Sequence, residues 1–357
     1  MAKFITSPFL ACAVILTVAL FLLSQNYSAL HWPQREFSLP LSSSLSFNSE
    51  PTAKVAKVSA IYGEVNEYYD AAVESHRRHA SRHGYPFHVL RHPVADGYWN
   101  KAQYLHALLV MELAKPIGER MKWLMWVDAD SAIINPVLGV EIFLPPDGFD
   151  DIHFLGSKDQ NGLNTGIFFI RVHQWSVNLL TKTLGMPLLT DIDLGFSADQ
   201  TAMAMILNET ENQGHVLYQP RAWYNTYQFE HGYEGKPGCL LVHFPGLDER
   251  WDSMGEWLQV LNNASSAAKW EVPFPSTHYP DEIDAYWKSI QRGRRLISDA
   301  NGKMADQINK GQITEDDLYD LPLFLAVRAL DFTLLFEADQ PKLVEQATQH
   351  LVDLLEG

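Results

Sequence analysis

Short runs without a polar face recur along this chain, and they limit what it can fold into. "KWLMWV", "TGIFFIRV" and "CLLVHF" are apolar at almost every position, and "AKVSAIYG", "PFHVL", "DIHFLGS" and "HVLYQP" read as further short strands. Successive strand side chains point to opposite faces, so such strands need cover on both sides. The segments between them have helical spacing. "VNEYYDAAVESHRRHASRHGY" places Val65, Tyr68, Tyr69, Ala72, Val73, His76 and Ala80 on one stripe, with Gly84 as its stop. "WNKAQYLHALLVMELAKP" predicts a helix ending before Pro116 with Leu105, Leu108, Leu109 and Leu113 inward; "HQWSVNLLTKTLG" predicts one closed by Gly185, and "SADQTAMAMILNE" one capped by Ser197. The expected architecture is α/β, a Rossmann-like, mostly parallel sheet covered on both faces. Ligands of such sheets bind beyond the carboxyl ends of the strands.

The ends of the chain have a different texture. From Phe4 to Leu23 no residue is charged, a length that spans a bilayer, and Lys3 precedes it. A transmembrane signal anchor with a cytosolic N-terminus is expected over 1–23. A cleaved signal peptide is the competing reading, opposed by Tyr27 at the −3 position for a cut after Ala29. Residues 24–54 are rich in Ser and Pro and read as a stem, 55–280 as the α/β domain, and 281–357 as a helical C-terminal extension with Val344, Ala347, Leu351 and Leu354 at helical spacing. Sequons at Asn26, Asn208 and Asn263 suit a lumenal chain. Only Cys12 and Cys239 are present, which rules out an internal disulfide framework and thiolate-rich zinc sites. A net charge of −16 argues against general nucleic-acid binding.

Two carboxylates follow "KWLMWV" at once. Asp128 and Asp130 are alternate residues on an extended segment, so they share a side and repel unless a cation or donors separate them. Mg2+ and Mn2+ take such oxygen ligands and bridge phosphates. Turn-capping aspartates in a solvated loop are the plain alternative. His243 ends another apolar strand; it is either a ligand suited to Mn2+ or a core histidine bonded to backbone. Gly238 and Gly246 flank that segment and would let backbone approach a phosphate. Asn161, Gly162, Asn164, Thr165 and Gly166 offer close approach and hydroxyl-binding groups, or ordinary turn chemistry. Asp199 and Gln200 open a helix, where an acid also suits the dipole, whereas Lys101 near a helix start does not. Arg171 could meet a phosphate or form a structural pair, and Trp223, Tyr224 and Tyr227 could stack on a sugar or fill the core.

In chain order, "RHGY", "WNK", "WVDADSAIIN", "QNGLNTGIFFIRVHQWS", "ADQTA", "QPRAWYNTY" and "VHFPG" resemble glycosyltransferase family 34 of fungi and plants, the α-galactosyl-, α-1,6-mannosyl- and xyloglucan xylosyltransferases. The resemblance spans about Lys54 to Gly246. It implies a GT-A fold, a UDP- or GDP-sugar donor, a glycan acceptor, Mn2+ (or Mg2+), α linkage with retention, and a single-pass type II Golgi topology, in some cases within a glycosyltransferase complex. By the same resemblance Asp128 and Asp130 are the D-x-D pair, His243 the third metal ligand, and Lys101 a donor-phosphate contact. Asn164 belongs to the sugar loop that runs to Gly166, Gly246 closes the "HFPG" motif, and Asp199 and Gln200 are the catalytic pair. Leu247 after "HFPG", Ala198 in place of a second acid, and the C-terminal tail depart from the family pattern. An inactive lumenal scaffold of the same fold, and a metal-dependent phosphohydrolase, are the competing functions; the latter usually needs more Asp and His ligands.

Overall fold

The computed structural model describes residues 54–356. The expected membrane span and nearly all of the stem lie outside them, and no helix among the described residues is long and apolar enough to cross a membrane. The strands are β1 (Val55–Ala60), β2 (Phe87–Leu90), β3 (Trp123–Val127), β4 (Ser131–Ile133), β5 (Phe154–Asp159), β6 (Gly162–Arg171), β7 (Val216–Tyr218), β8 (Gln228–Phe229), β9 (Gly232–Tyr233) and β10 (Leu241–His243). The longer helices are α1 (Glu67–His83), α2 (Trp99–Leu113), α3 (Gln174–Leu189), α4 (Ala198–Leu207), α5 (Arg250–Asn262), α6 (Tyr279–Asn309), α7 (Pro322–Phe336) and α8 (Pro341–Glu356).

The main sheet has the order β2-β1-β3-β6-β5-β7. β1 runs parallel to β2 and β3, and β7 parallel to β5, while β6 is antiparallel to both its neighbours. The cause is local. Asp159 pairs with Gly162 across a two-residue turn, and so tight a connection can only reverse the chain. Gly162 supplies the left-handed backbone there, at φ +99°.

The apolar runs divide by parity. Trp123, Met125, Val127, Ile167 and Phe169 face one core, which they share with Tyr286, Ile290, Leu330 and Leu351 of the C-terminal helices. Leu124, Trp126, Phe168 and Ile170 face the other, filled by Leu105 and Leu109 of α2, Leu180 of α3 and Met203 of α4. Each large apolar side chain so buried contributes ~1.5–3 kcal/mol. The C-terminal helices are also tied in by polar contacts. Lys158 of β5 bonds the Phe336 carbonyl and meets Glu337 at 3.3 Å, and Tyr279 Oη donates to Trp223 O at 2.7 Å.

Several expectations need correction. Val65 lies before α1 and is 92% exposed; Asn66 is the cap, its Oδ1 accepting from Tyr68 N and Tyr69 N. α3 runs past Gly185 and Pro187 to Leu189, because Gly185 keeps helical backbone and Pro187 follows it within the helix. Ser197 precedes α4 without a side-chain capping bond. "CLLVHF" does not join the main sheet: β10 pairs antiparallel with β4 in a separate two-stranded sheet beside it.

Lys57, on β1, is fully buried with no carboxylate partner. His76 Nε2 faces the Ser131 carbonyl at 3.1 Å and His79 Nε2 the Leu138 carbonyl at 2.8 Å. Carbonyls only accept, so these nitrogens carry the protons and both Nδ1 atoms accept from Lys57 Nζ, at 2.8 and 3.2 Å. Burial drives the Lys57 pKa well below its ordinary value, and a neutral amine with two neutral imidazoles satisfies every partner.

Candidate active site

β3 ends at Val127: Asp128 N still donates to Gly166 O at 2.8 Å, but Gly166 N turns to Asn164 Oδ1, and the chain runs on into β4. In the short β4–β10 ladder Ser131 lies opposite His243, and Phe244 N donates to Asp130 O at 2.9 Å. That register brings His243 to Asp130. One acceptor atom each from Asp128, Asp130 and His243 lies within 4.8 Å of the others.

The hydrogen-bond network sets the state of the imidazole. Asn164 Oδ1 accepts from Gly166 N and from Asn225 Nδ2, each at 2.9 Å, and Asn225 Nδ2 also reaches Ser157 Oγ at 2.9 Å. Asn225 therefore turns its Oδ1 to His243 Nδ1, 2.6 Å away, which makes Nδ1 the protonated nitrogen. His243 Nε2 then faces Asp130 Oδ1, 3.2 Å away. An imidazole nitrogen and a carboxylate this close share a proton or a bound cation, and a second bond that holds Nδ1 is the usual support of a metal-bound histidine. The residues fit a divalent ion.

The cations present are arranged around the carboxylates. Lys101 Nζ stands 3.3 Å from Asp128 Oδ1 and 3.8 Å from Asp199 Oδ2, and donates to Thr165 O at 2.8 Å. Burial opposes its charge, but Asp128 and Asp199 outweigh burial and raise its pKa. Trp126 Nε1 donates to Asp128 Oδ1 at 2.6 Å; burial still raises the pKa of Asp128. For Asp130, burial is outweighed by His243 and Arg250, and its pKa is lowered. Arg250, at the start of α5, reaches Asp130 Oδ2 at 3.4 Å and Tyr69 Oη at 2.9 Å. Asp199 is 2% exposed, and its Oδ2 has no hydrogen-bond partner. Gln200 Oε1 accepts from Thr165 N at 2.9 Å, which anchors the side chain.

These groups line one cavity of about 740 Å³. Lys101, Asp128, Asp130, Asn164, Gly166, Asp199, Gln200, His243 and Gly246 all belong to its wall. Gly238 does not; it packs against Thr277 and Val272. Trp223 and Tyr224 are core residues against Phe143, whereas Tyr227 Oη reaches the wall and donates to Asp159 Oδ2 at 2.9 Å. Arg171 is structural: it donates to Ile152 O and Phe149 O and stacks 4.5 Å over Trp123. Asn225, Arg250, Asp159 and Trp126 carry no site signal of their own in the sequence, and Tyr69 reads there only as part of a helical stripe. Asn225 sits inside the quoted "QPRAWYNTY", but nothing local marks it as the partner of His243.

Gly166 has no room for a side chain. A Cβ there would lie 2.3 Å from His243 Cε1 and 3.0 Å from Asn164 Oδ1. Gly166→Ala should fold and lose activity about 100-fold, as ångström-scale misplacement does. Steady-state rates beside a melting curve decide this; wild-type rates would show that His243 can move without cost.

Residues 147–251 match the model of the galactosyl transferase GMA12/MNN10 family, glycosyltransferase family 34. This segment belongs to that family. It includes Asn164, Asp199, Gln200, His243 and Arg250, while Lys101, Asp128 and Asp130 precede it. Among curated relatives, an alpha-1,2-galactosyltransferase of Schizosaccharomyces pombe is 26% identical over 223 residues, covering 52% of this chain and 57% of its own. Xyloglucan 6-xylosyltransferase 4 of Arabidopsis thaliana is 29% identical over 181 residues, covering 44% of this chain and 34% of its own. The chain thus spans about half or less of the length of these relatives. A solved glycosyltransferase involved in the glycosylation of the major capsid of PBCV-1 is 15% identical, with a TM-score of 0.46 over 57% of this chain and 98% of that one.

Proposed function

We propose that this chain is a metal-dependent GT-A glycosyltransferase that moves a hexose, galactose or mannose, from a UDP- or GDP-sugar to a glycan acceptor with retention. The observation that carries the reading is the convergence of Asp128, Asp130 and His243, with Nε2 turned to Asp130 and Nδ1 held by Asn225. In the same wall the four carboxylates Asp128, Asp130, Asp159 and Asp199 outnumber the cations Lys101 and Arg250. Such a site rejects a diphosphate until a cation joins it. Mn2+ or Mg2+ held by the three ligands would supply Lewis-acid neutralisation of the diphosphate.

The chain's own residues do the rest. Lys101, held by Thr165, places a second positive charge beside Asp128, where a leaving diphosphate gains charge. Gly246 leaves backbone open to the phosphates. Asp199, buried and with an Oδ2 that takes no hydrogen bond, stabilises positive charge developing at the anomeric carbon. Gln200, fixed through its Oε1, directs its amide nitrogen to the sugar. The uncharged Phe4–Leu23 segment and the Ser/Pro-rich stem support a type II Golgi placement with a lumenal site.

Release of UDP or GDP from a panel of nucleotide sugars, with and without Mn2+, tests the reading. One donor should be turned over in a metal-dependent way, with acceptor present. No release from any donor by folded protein would favour an inactive scaffold of the same fold.

A further inference from the structure

Two aromatic rings at the cavity have no part in the chemistry above. Phe196 is 85% exposed and Tyr98 48% exposed, yet both line the cavity. Their centroids are 5.3 Å apart, edge to face at 69°. Each sits three residues before a site residue: Tyr98 before Lys101 and Phe196 before Asp199. The supporting backbone is held locally. Asp193 Oδ1 accepts from Gly195 N at 2.9 Å, and Gly195 takes φ +70° just before Phe196. Tyr62 Oη donates to Gly97 O at 3.3 Å beside Tyr98.

A single exposed aromatic residue is ordinary. A paired set on the wall of a polar cavity is different, because Asp159, Gln160 and Asn161 line the same space. Aromatic faces with nearby amides and carboxylates suit a ligand with one apolar face and a rim of hydroxyls. A pyranose has both. Anionic lipid is disfavoured by Asp191 and Asp193 in the same loop.

We propose that Phe196 and Tyr98 form a stacking platform for a pyranose ring of the acceptor glycan. This rests on the cavity being a glycosyltransferase site. Phe196→Ala in the full chain should raise the acceptor KM about tenfold, equivalent to about 1.4 kcal/mol, with the donor KM within about twofold of wild type. Phe196→Trp should restore the acceptor KM. An unchanged acceptor KM, or a rise confined to the donor KM, overturns the platform.

A direct reading separates this from the reaction itself. Saturation-transfer NMR with manno-, galacto- and gluco-oligosaccharides, in Mn2+ and UDP or GDP, is measured on wild type and Phe196→Ala. If no donor is ever turned over but sugar signals appear and vanish in the variant, the platform stands and the transferase reading falls. Signals unchanged by the substitution, or no signal with wild type, overturn the platform.

Discussion

Asp130→Ala should lower turnover on the order of a thousandfold, as removal of a charge-stabilising group in a water-poor site does. Its stability without metal should hardly change. Asp130 has the neighbouring Asp128 against it and Arg250 beside it, so its loss relieves one repulsion while it removes the Arg250 contact. The sharper signal is in metal linkage. Wild type at a Mn2+ concentration about 100 times its Kd should gain ~2.7 kcal/mol of stability. Asp130→Ala should show almost none of that gain. Thermal melts in EDTA and in graded Mn2+ read both quantities. Retained turnover, or an unaltered Mn2+ shift, would remove Asp130 from the metal site.

Lys57→Met should change how stability depends on pH. In wild type the Lys57 pKa is lowered by burial, so below about 10.4 the unfolded chain holds a proton that the folded chain lacks. Stability therefore rises with pH from the lowered folded value up to the unfolded one, by up to ~1.4 kcal/mol per pH unit. His79 acts in the same sense at acid pH. Burial, then Lys57, holds it at about 2 against an ordinary 6.5, so stability falls as pH drops below that ordinary value. The Met variant should lose the rise between about pH 7 and 9.5, a window below ordinary tyrosine ionisation near 10. It should also lose ~1–3 kcal/mol for each imidazole Nδ1 left without a donor. Urea unfolding of both proteins at several pH values measures slope and offset together. A wild-type curve flat from pH 7 to 9.5 would mean that Lys57 is charged in the fold.

The network touches the site through backbone. His76 Nε2 meets both the carbonyl and, at 3.0 Å, the Oγ of Ser131, whose Oγ donates to Asp128 O at 2.7 Å. A buried amine on the first strand thus stiffens the turn that carries the two aspartates. In the sequence Lys57 is an unremarked cation in a strand, and His76 is one position of a helical stripe.

What the sequence determined is what depends on short range. Runs apolar at consecutive positions require a sheet covered on both faces, and the parity of residues 123–127 assigns each side chain to its own core. Gly84 takes the left-handed backbone expected of a helix stop, at φ +71°. Asp128 and Asp130 were legible because they interrupt an apolar strand. Tertiary structure alone decided the relations between distant segments. The register of β4 on β10 seats His243 beside Asp130, and a chain of amides through Asn225 and Asn164 decides which imidazole nitrogen faces it. Helix starts bring Lys101 to Asp128 and Arg250 to Asp130. Hydrogen-bond geometry is set by where strands pack, and no local pattern of residue types encodes it.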